Sequence, residues 1–167
     1  MEKLPLNDTY LVSIANGSKK SVVIKEDLKL DGRINGELRL KDEAENLIAV
    51  AYYNVFNYEN NPDLSIGSKE EESHLFIGNV IQESHDDFKM LFDALEEIAF
   101  YHEVFKLTEN FIPHPHDLDK DDSEIRDFYK KQGYEIYFDD EIEKVVKFLE
   151  KRISNLEFFS PSPNKRG

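Results

Sequence analysis

Asp122-Ser-Glu-Ile-Arg-Asp-Phe-Tyr-Lys-Lys-Gln-Gly-Tyr134-Glu-Ile136 is the stretch on which the fold is read. Asp121 or Asp122 offers the short side-chain acceptor that caps a helix. Ile125, Phe128 and Tyr129 then follow at the spacing of one helical face. Gly133 marks the stop, because a chain leaving a helix often passes through the left-handed region that glycine enters freely. Tyr134 to Phe138 reads as a short strand. The segment is therefore a helix delivered directly into a strand.

Moving upstream, Phe105 to Ile112 is a candidate strand closed by Pro113-His-Pro115. Before it, Phe88, Leu91, Phe92, Leu95, Ile98, Ala99 and His102 share one helical face. Asp86 and Asp87 suit the positive end of that helix. His74 to Gln82 is strand-like, and Gly78-Asn79 inside it predicts a bulge. Residues 57–73, with Asn60-Asn-Pro62, Gly67-Ser68 and Glu70-Glu-Glu72, read as a long loop. Downstream, Ile142, Val145, Val146, Leu149 and Ile153 predict a last helix over about 140–156, and Ser160–Gly167 a polar tail.

The N-terminal half reads as strands. Tyr10–Ala15 is apolar and ends at Asn16-Gly17; Ser21–Leu30 ends at Asp31-Gly32. Glu37–Lys41 alternates with period two, and Leu47–Phe56 is rich in β-branched and aromatic residues. Short turns between such runs predict an antiparallel meander. The fold class is α+β: a mixed, mostly antiparallel central sheet with an N-terminal meander, flanked by about three helices. Residues 1–157 are expected to form one domain and 158–167 a flexible C-terminal tail.

Composition narrows the function. The 167 residues are 40% hydrophobic with twelve Phe and eight Tyr, enough for a real core. Lys plus Arg number 21 against 35 Asp plus Glu, a formal net charge of −14. Such a surface repels phosphate backbones and anionic bilayers, so neither nucleic acid nor membrane is expected as a partner. The absence of cysteine removes disulfides, thiolate metal sites and cysteine nucleophiles. No apolar run approaches the ~20 residues of a membrane span. The N-terminus lacks a signal-peptide pattern, and a cytoplasmic location is expected.

Phe128-Tyr129, three intervening residues and Gly133-Tyr134 resemble the N-x-x-A-x-x-F-Y-x-x-x-G-F segment of the GNAT superfamily of N-acyltransferases. The resemblance extends over about residues 10–138. The meander, bulged strand, long helix, strand, helix and closing strand follow that family's layout. The pair of helices after its first strand is not visible here. The resemblance implies that Ile77, Gly78, Asn79 and Val80 line the pantetheine arm of an acyl-CoA through their backbone. It also implies that Tyr129 protonates the leaving thiolate, and that Asp122 stands where the family has asparagine. Glu83 is the candidate general base.

The family's pyrophosphate loop, R/Q-x-x-G-x-G/A, aligns with Glu83-Ser-His-Asp-Asp-Phe88, which holds three acids and no glycine. A like-charge contact at ~4 Å and an effective dielectric near 20 costs about 4 kcal/mol. Two such contacts remove most of a micromolar affinity of about 8 kcal/mol. The leading expectation is therefore a GNAT-like protein with a degenerate acyl-CoA site, needing no cofactor and serving as a binding or regulatory module. Acid clusters at 70–72, 86–87, 117–124 and 139–143 make a basic protein the expected partner. The alternative is an active N-acetyltransferase using acetyl-CoA on an amine; a third reading is an acidic decoy of a nucleic-acid-binding protein. An open cleft between the strands at 75–82 and 105–112, lined by free amides, favours catalysis, whereas an acid-lined gap favours binding. His114, His116 and Asp117 lack further ligands, and Asp117–Asp121 lacks the glycine and glutamate of a calcium loop, so no metal is expected.

Overall fold

Five strands in succession, each antiparallel to the one before, build the N-terminal half: β1 (Asn7–Ser13), β2 (Lys19–Leu28), β3 (Ile34–Lys41), β4 (Leu47–Phe56) and β5 (His74–Gln82). The computed structural model describes residues 5–13, 19–41, 44, 46–59, 72–82, 85–110, 122–139 and 142–158. β3 alternates buried and half-buried residues along its whole length, as period-two patterning requires when one face meets a core. After β5 come α1 (His85–Tyr101), β6 (Lys106–Asn110), α2 (Asp122–Lys131), β7 (Glu135–Asp139), β8 (Ile142–Phe148) and the two-residue β9 (Glu157–Phe158). The sheet order is β7-β8-β6-β5-β4-β3-β2-β1-β9. Only β5–β6 is parallel among these pairs. The result is the expected α+β class, a mixed and mostly antiparallel sheet.

Both described helices serve one core. Leu91, Phe92, Leu95, Ile98 and Ala99 of α1 are buried against Ile24, Leu38, Tyr53, Leu75, Ile77 and Leu107 of the sheet. Each fully buried Leu, Ile or Phe contributes about 1.5–3 kcal/mol. α2 lies beside α1, with the Phe92 ring 5.7 Å from Tyr129 and 6.1 Å from Phe128. Gly133 ends α2 at φ 93°, and the Tyr134 amide donates to the Tyr129 carbonyl at 3.0 Å. The punctuation read from the sequence thus holds at this helix end.

The helix expected over 140–156 is not formed. Ile142–Phe148 is β8, inserted between β6 and β7 and antiparallel to both. Val145 and Val146 are both buried, at 0% and 3% exposure, so the two faces of the strand are covered. A strand buried on both sides loses its alternation, and its apolar residues then mimic helical spacing. β6 has β5 on one side and needs a hydrogen-bonding partner on the other, and β8 supplies it. Among the described residues there are two helices, not three. β9 pairs Phe158 with Tyr10, which carries the sheet one residue past the boundary expected for the tail. Residues 159–167 lie outside the described residues.

A buried polar knot ties the meander to α1. Glu26 on β2, Gly36 on β3 and Tyr53 on β4 stand in one row across the sheet. Tyr53 lies over Gly36 and donates its hydroxyl to Glu26 Oε2 at 2.6 Å. The Leu6 amide donates to Glu26 Oε1 at 2.6 Å, and His102 Nε2 sits 2.9 Å from both oxygens. Three groups satisfying one carboxylate remove the cost of burying it. No described helix is long and apolar enough to cross a membrane.

Candidate functional site

The bulge expected at Gly78-Asn79 is present. Tyr52 pairs with Asn79 and Tyr53 with Ile77, so Gly78 is the extra residue on β5. Ile77 and Val80 are three apart and would face opposite sides of a regular strand. The added residue lets both enter the core, at 0% and 1% exposure, while Gly78 and Asn79 are exposed. The four residues named from the resemblance therefore divide: two fill the core and two present the strand's outer edge.

Just beyond the bulge, β5 and β6 part. Their pairing runs from Leu75–Leu107 through Phe76–Thr108 to Ile77–Glu109 and stops. β5 continues to Gln82, whereas β6 ends at Asn110. Glu109 stands at the last rung of this fork. Its side chain enters the core in phase with Leu107, and Tyr129 Oη on α2 donates to Glu109 Oε2 at 2.7 Å. Glu109 is 4% exposed and Tyr129 2%. Burial raises the Glu109 carboxyl to about 8, against the hydrogen bond from Tyr129, which lowers it. At pH 7 the acid is mostly neutral.

Aromatic rings close around the pair. Tyr129 has Phe92 at 5.7 Å, Tyr134 at 5.5 Å and Phe128 at 6.0 Å between ring centroids, all edge-on. The Tyr134 hydroxyl is buried without a hydrogen-bond partner among the described residues, and burial drives its pKa well above 10. Nearby, Lys147 Nζ reaches Glu96 at 3.0 Å, yet burial still raises the Glu96 carboxyl. Tyr129 is thus a core aromatic whose one proton is already donated. Moving that proton elsewhere strips a buried carboxyl of its partner, at a cost of about 1–3 kcal/mol.

Two other residues named from the sequence fall differently. Glu83 lies outside the described residues. α2 begins at Asp122, as the capping pattern required, and that side chain is not among those described. β5 ends at Gln82 and α1 begins at His85, so two residues connect them. Asp86, Asp87 and Phe88 belong to the first turn of α1 rather than to a loop. His114, His116 and Asp117–Asp121 lie outside the described residues; among those described, no group of three or more His, Asp or Glu is placed to hold a metal ion. Glu109 was not singled out in the sequence, although one signal was there: an acid two residues after Leu107 in a short strand points to the same face.

No family model and no curated protein matches the chain. Among solved structures, it is similar to the crystal structure of Chaetomium thermophilum Naa20 in complex with a bisubstrate analogue, at 16% identity and a TM-score of 0.48. That match covers 68% of this chain and 65% of the Naa20 chain. In this chain the meander, the bulged β5, the long α1, β6, α2 and β7 follow one another in the order expected from the sequence.

Proposed function

We propose that this chain is a GNAT-like acidic protein with a degenerate acyl-CoA site that works as a binding module for a basic protein partner. The observation that carries the reading is the Tyr129–Glu109 pair. The residue that the resemblance casts as the thiolate's proton donor instead donates to a neutral, buried acid at the fork, and both side chains are sealed from solvent. The sequence supports it from the other side of the fork. A two-residue connection followed by Asp86 and Asp87 offers no glycine-lined seat for a diphosphate. The net charge of −14 favours encounter with a basic protein. Calorimetric titration with acetyl-CoA and with CoA tests the reading. No saturable binding is expected, and micromolar binding competed by CoA would overturn it.

A second reading, an N-acetyltransferase acting on an amine with acetyl-CoA, is favoured by the bulge that exposes Gly78 and Asn79 beside the β5–β6 fork. In it, the amine nitrogen attacks the thioester carbon, Glu109 accepts the amine proton and Tyr129 protonates the departing sulfur. Glu109 serves as a base only when ionised, so turnover in this reading rises with pH through about 8. A flat rate between pH 6 and 9, or turnover unchanged in Tyr129→Phe, excludes that assignment.

A further inference from the structure

A cavity opens at the end of the sheet remote from the β5–β6 fork. Its volume is about 1010 Å³, and it lies between the end of β4, the start of β5 and β6, the end of α1 and the segment after β8. Small-molecule pockets span roughly 300–1,000 Å³, so this one has room for several side chains of an extended peptide. Its apolar surface comes from Tyr58, Phe100, Tyr101 and Phe105. Ile153, 88% exposed, forms a lip.

We infer that this cavity receives a basic peptide segment of a partner protein, with its Lys or Arg side chains set against Glu59, Glu72 and Glu103 and its apolar side chains on the aromatic floor. The inference rests on the binding-module reading for the class of partner and adds the place where it docks. Three independent features select a cation. Glu59, Glu72 and Glu103 are exposed on the cavity wall, and their carboxylates make no ion pair or hydrogen bond among the described residues. The α1 C-terminus points its negative pole here, and its last turn carries no basic residue to offset it. Tyr58 and Tyr101 add aromatic surface of the kind on which the chain already rests its own cations, Arg152 3.9 Å over Phe100 and Lys151 5.7 Å over Phe105.

The basic residues on the wall do not cancel this preference, because each is held by the protein. Arg152 is paired with Glu97, which raises its pKa further. Lys151 sits over Phe105, and Lys106, 7% exposed, over Phe148 at 5.6 Å. With Arg152 offset by Glu97, Lys106 and Lys151 stand against three glutamates on the wall, which keeps a net negative charge among the described residues.

The test is fluorescence anisotropy of a fluorescein-labelled heptapeptide of alternating lysine and leucine, titrated with the full chain. Two triple variants are compared. Glu59→Gln/Glu72→Gln/Glu103→Gln neutralises the cavity; Asp8→Asn/Asp127→Asn/Glu135→Gln removes the same charge from exposed sites that do not line it. All six positions are exposed, so both variants keep the fold. The cavity variant is expected to raise Kd about tenfold, equivalent to about 1.4 kcal/mol, from three solvent-accessible ion pairs. The control is expected to change Kd less than about threefold, since its charges act through screened solvent. Equal weakening by both variants, or no saturable binding to the unmodified chain, overturns the inference. Acetyl-CoA titrated into the same samples separates the two claims: micromolar binding there overturns the binding-module reading and leaves the docking site to be judged by the peptide alone.

Discussion

Replacing Glu109 with glutamine should remove a fall in stability that the wild-type protein shows as pH rises from about 5 to about 8. The carboxyl stands at about 8 in the folded protein against 4.5 ordinarily, because burial disfavours its charged form. Between those two pH values the folded chain keeps a proton that the unfolded chain has released. Stability contributed by the protonated acid is therefore present at low pH and is lost as pH rises through the window, ending near 8. At about 1.4 kcal/mol per pH unit the loss sums to on the order of 5 kcal/mol. A domain of this size has about 5–15 kcal/mol in all, so the wild-type protein should be markedly weaker at pH 9 than at pH 5. Glu109→Gln keeps an amide oxygen to accept from Tyr129 and carries no ionisable proton. Urea unfolding of both proteins at pH 5, 7 and 9 measures the effect. The wild type should lose about 4 kcal/mol relative to the variant between pH 5 and 9. Parallel pH profiles would refute the claim that Glu109 is neutral inside the fold.

Other perturbations follow from the same contacts. Gly36→Ala places a Cβ 2.1 Å from the Tyr53 ring and should cost more than about 3 kcal/mol in chemical denaturation, whereas Gly78→Ala meets only the Tyr52 carbonyl at 3.5 Å and should stay within about 1 kcal/mol of wild type. Tyr134→Phe removes a buried hydroxyl that has no partner among the described residues; a melting temperature at or above wild type is expected, and a clear drop would reveal a partner for that oxygen. Tyr129→Phe leaves the Glu109 carboxyl without its donor and should destabilise the protein by about 1–3 kcal/mol in urea at pH 7, while an unchanged midpoint would mean the hydrogen bond is dispensable.

Part of the site was legible before any coordinates. The glycine inside β5 announced the bulge, because a residue without a side chain in an apolar strand marks a break in pairing. The spacing of Phe128, Tyr129 and Gly133 announced α2 and its stop. Tyr129 was named, but the neighbour that decides its chemistry was not. Glu109 is twenty residues away, on a different element, and only the packing of α2 beside β6 brings them together. The cavity glutamates are harder still, since Glu59, Glu72 and Glu103 lie just beyond the ends of three different elements, β4, β5 and α1.

The amino-acid pattern alone determined the local elements up to β7, because turn residues and apolar period act over a few neighbours. Tertiary structure decided whether Ile142–Phe148 became helix or strand. Its apolar spacing fits both, and the open edge of β6 settled the matter through backbone hydrogen bonds that no local pattern records. It likewise decided that the carboxyl of Glu109 is neutral, since the free energy of a charge depends on the surroundings that distant segments assemble around it.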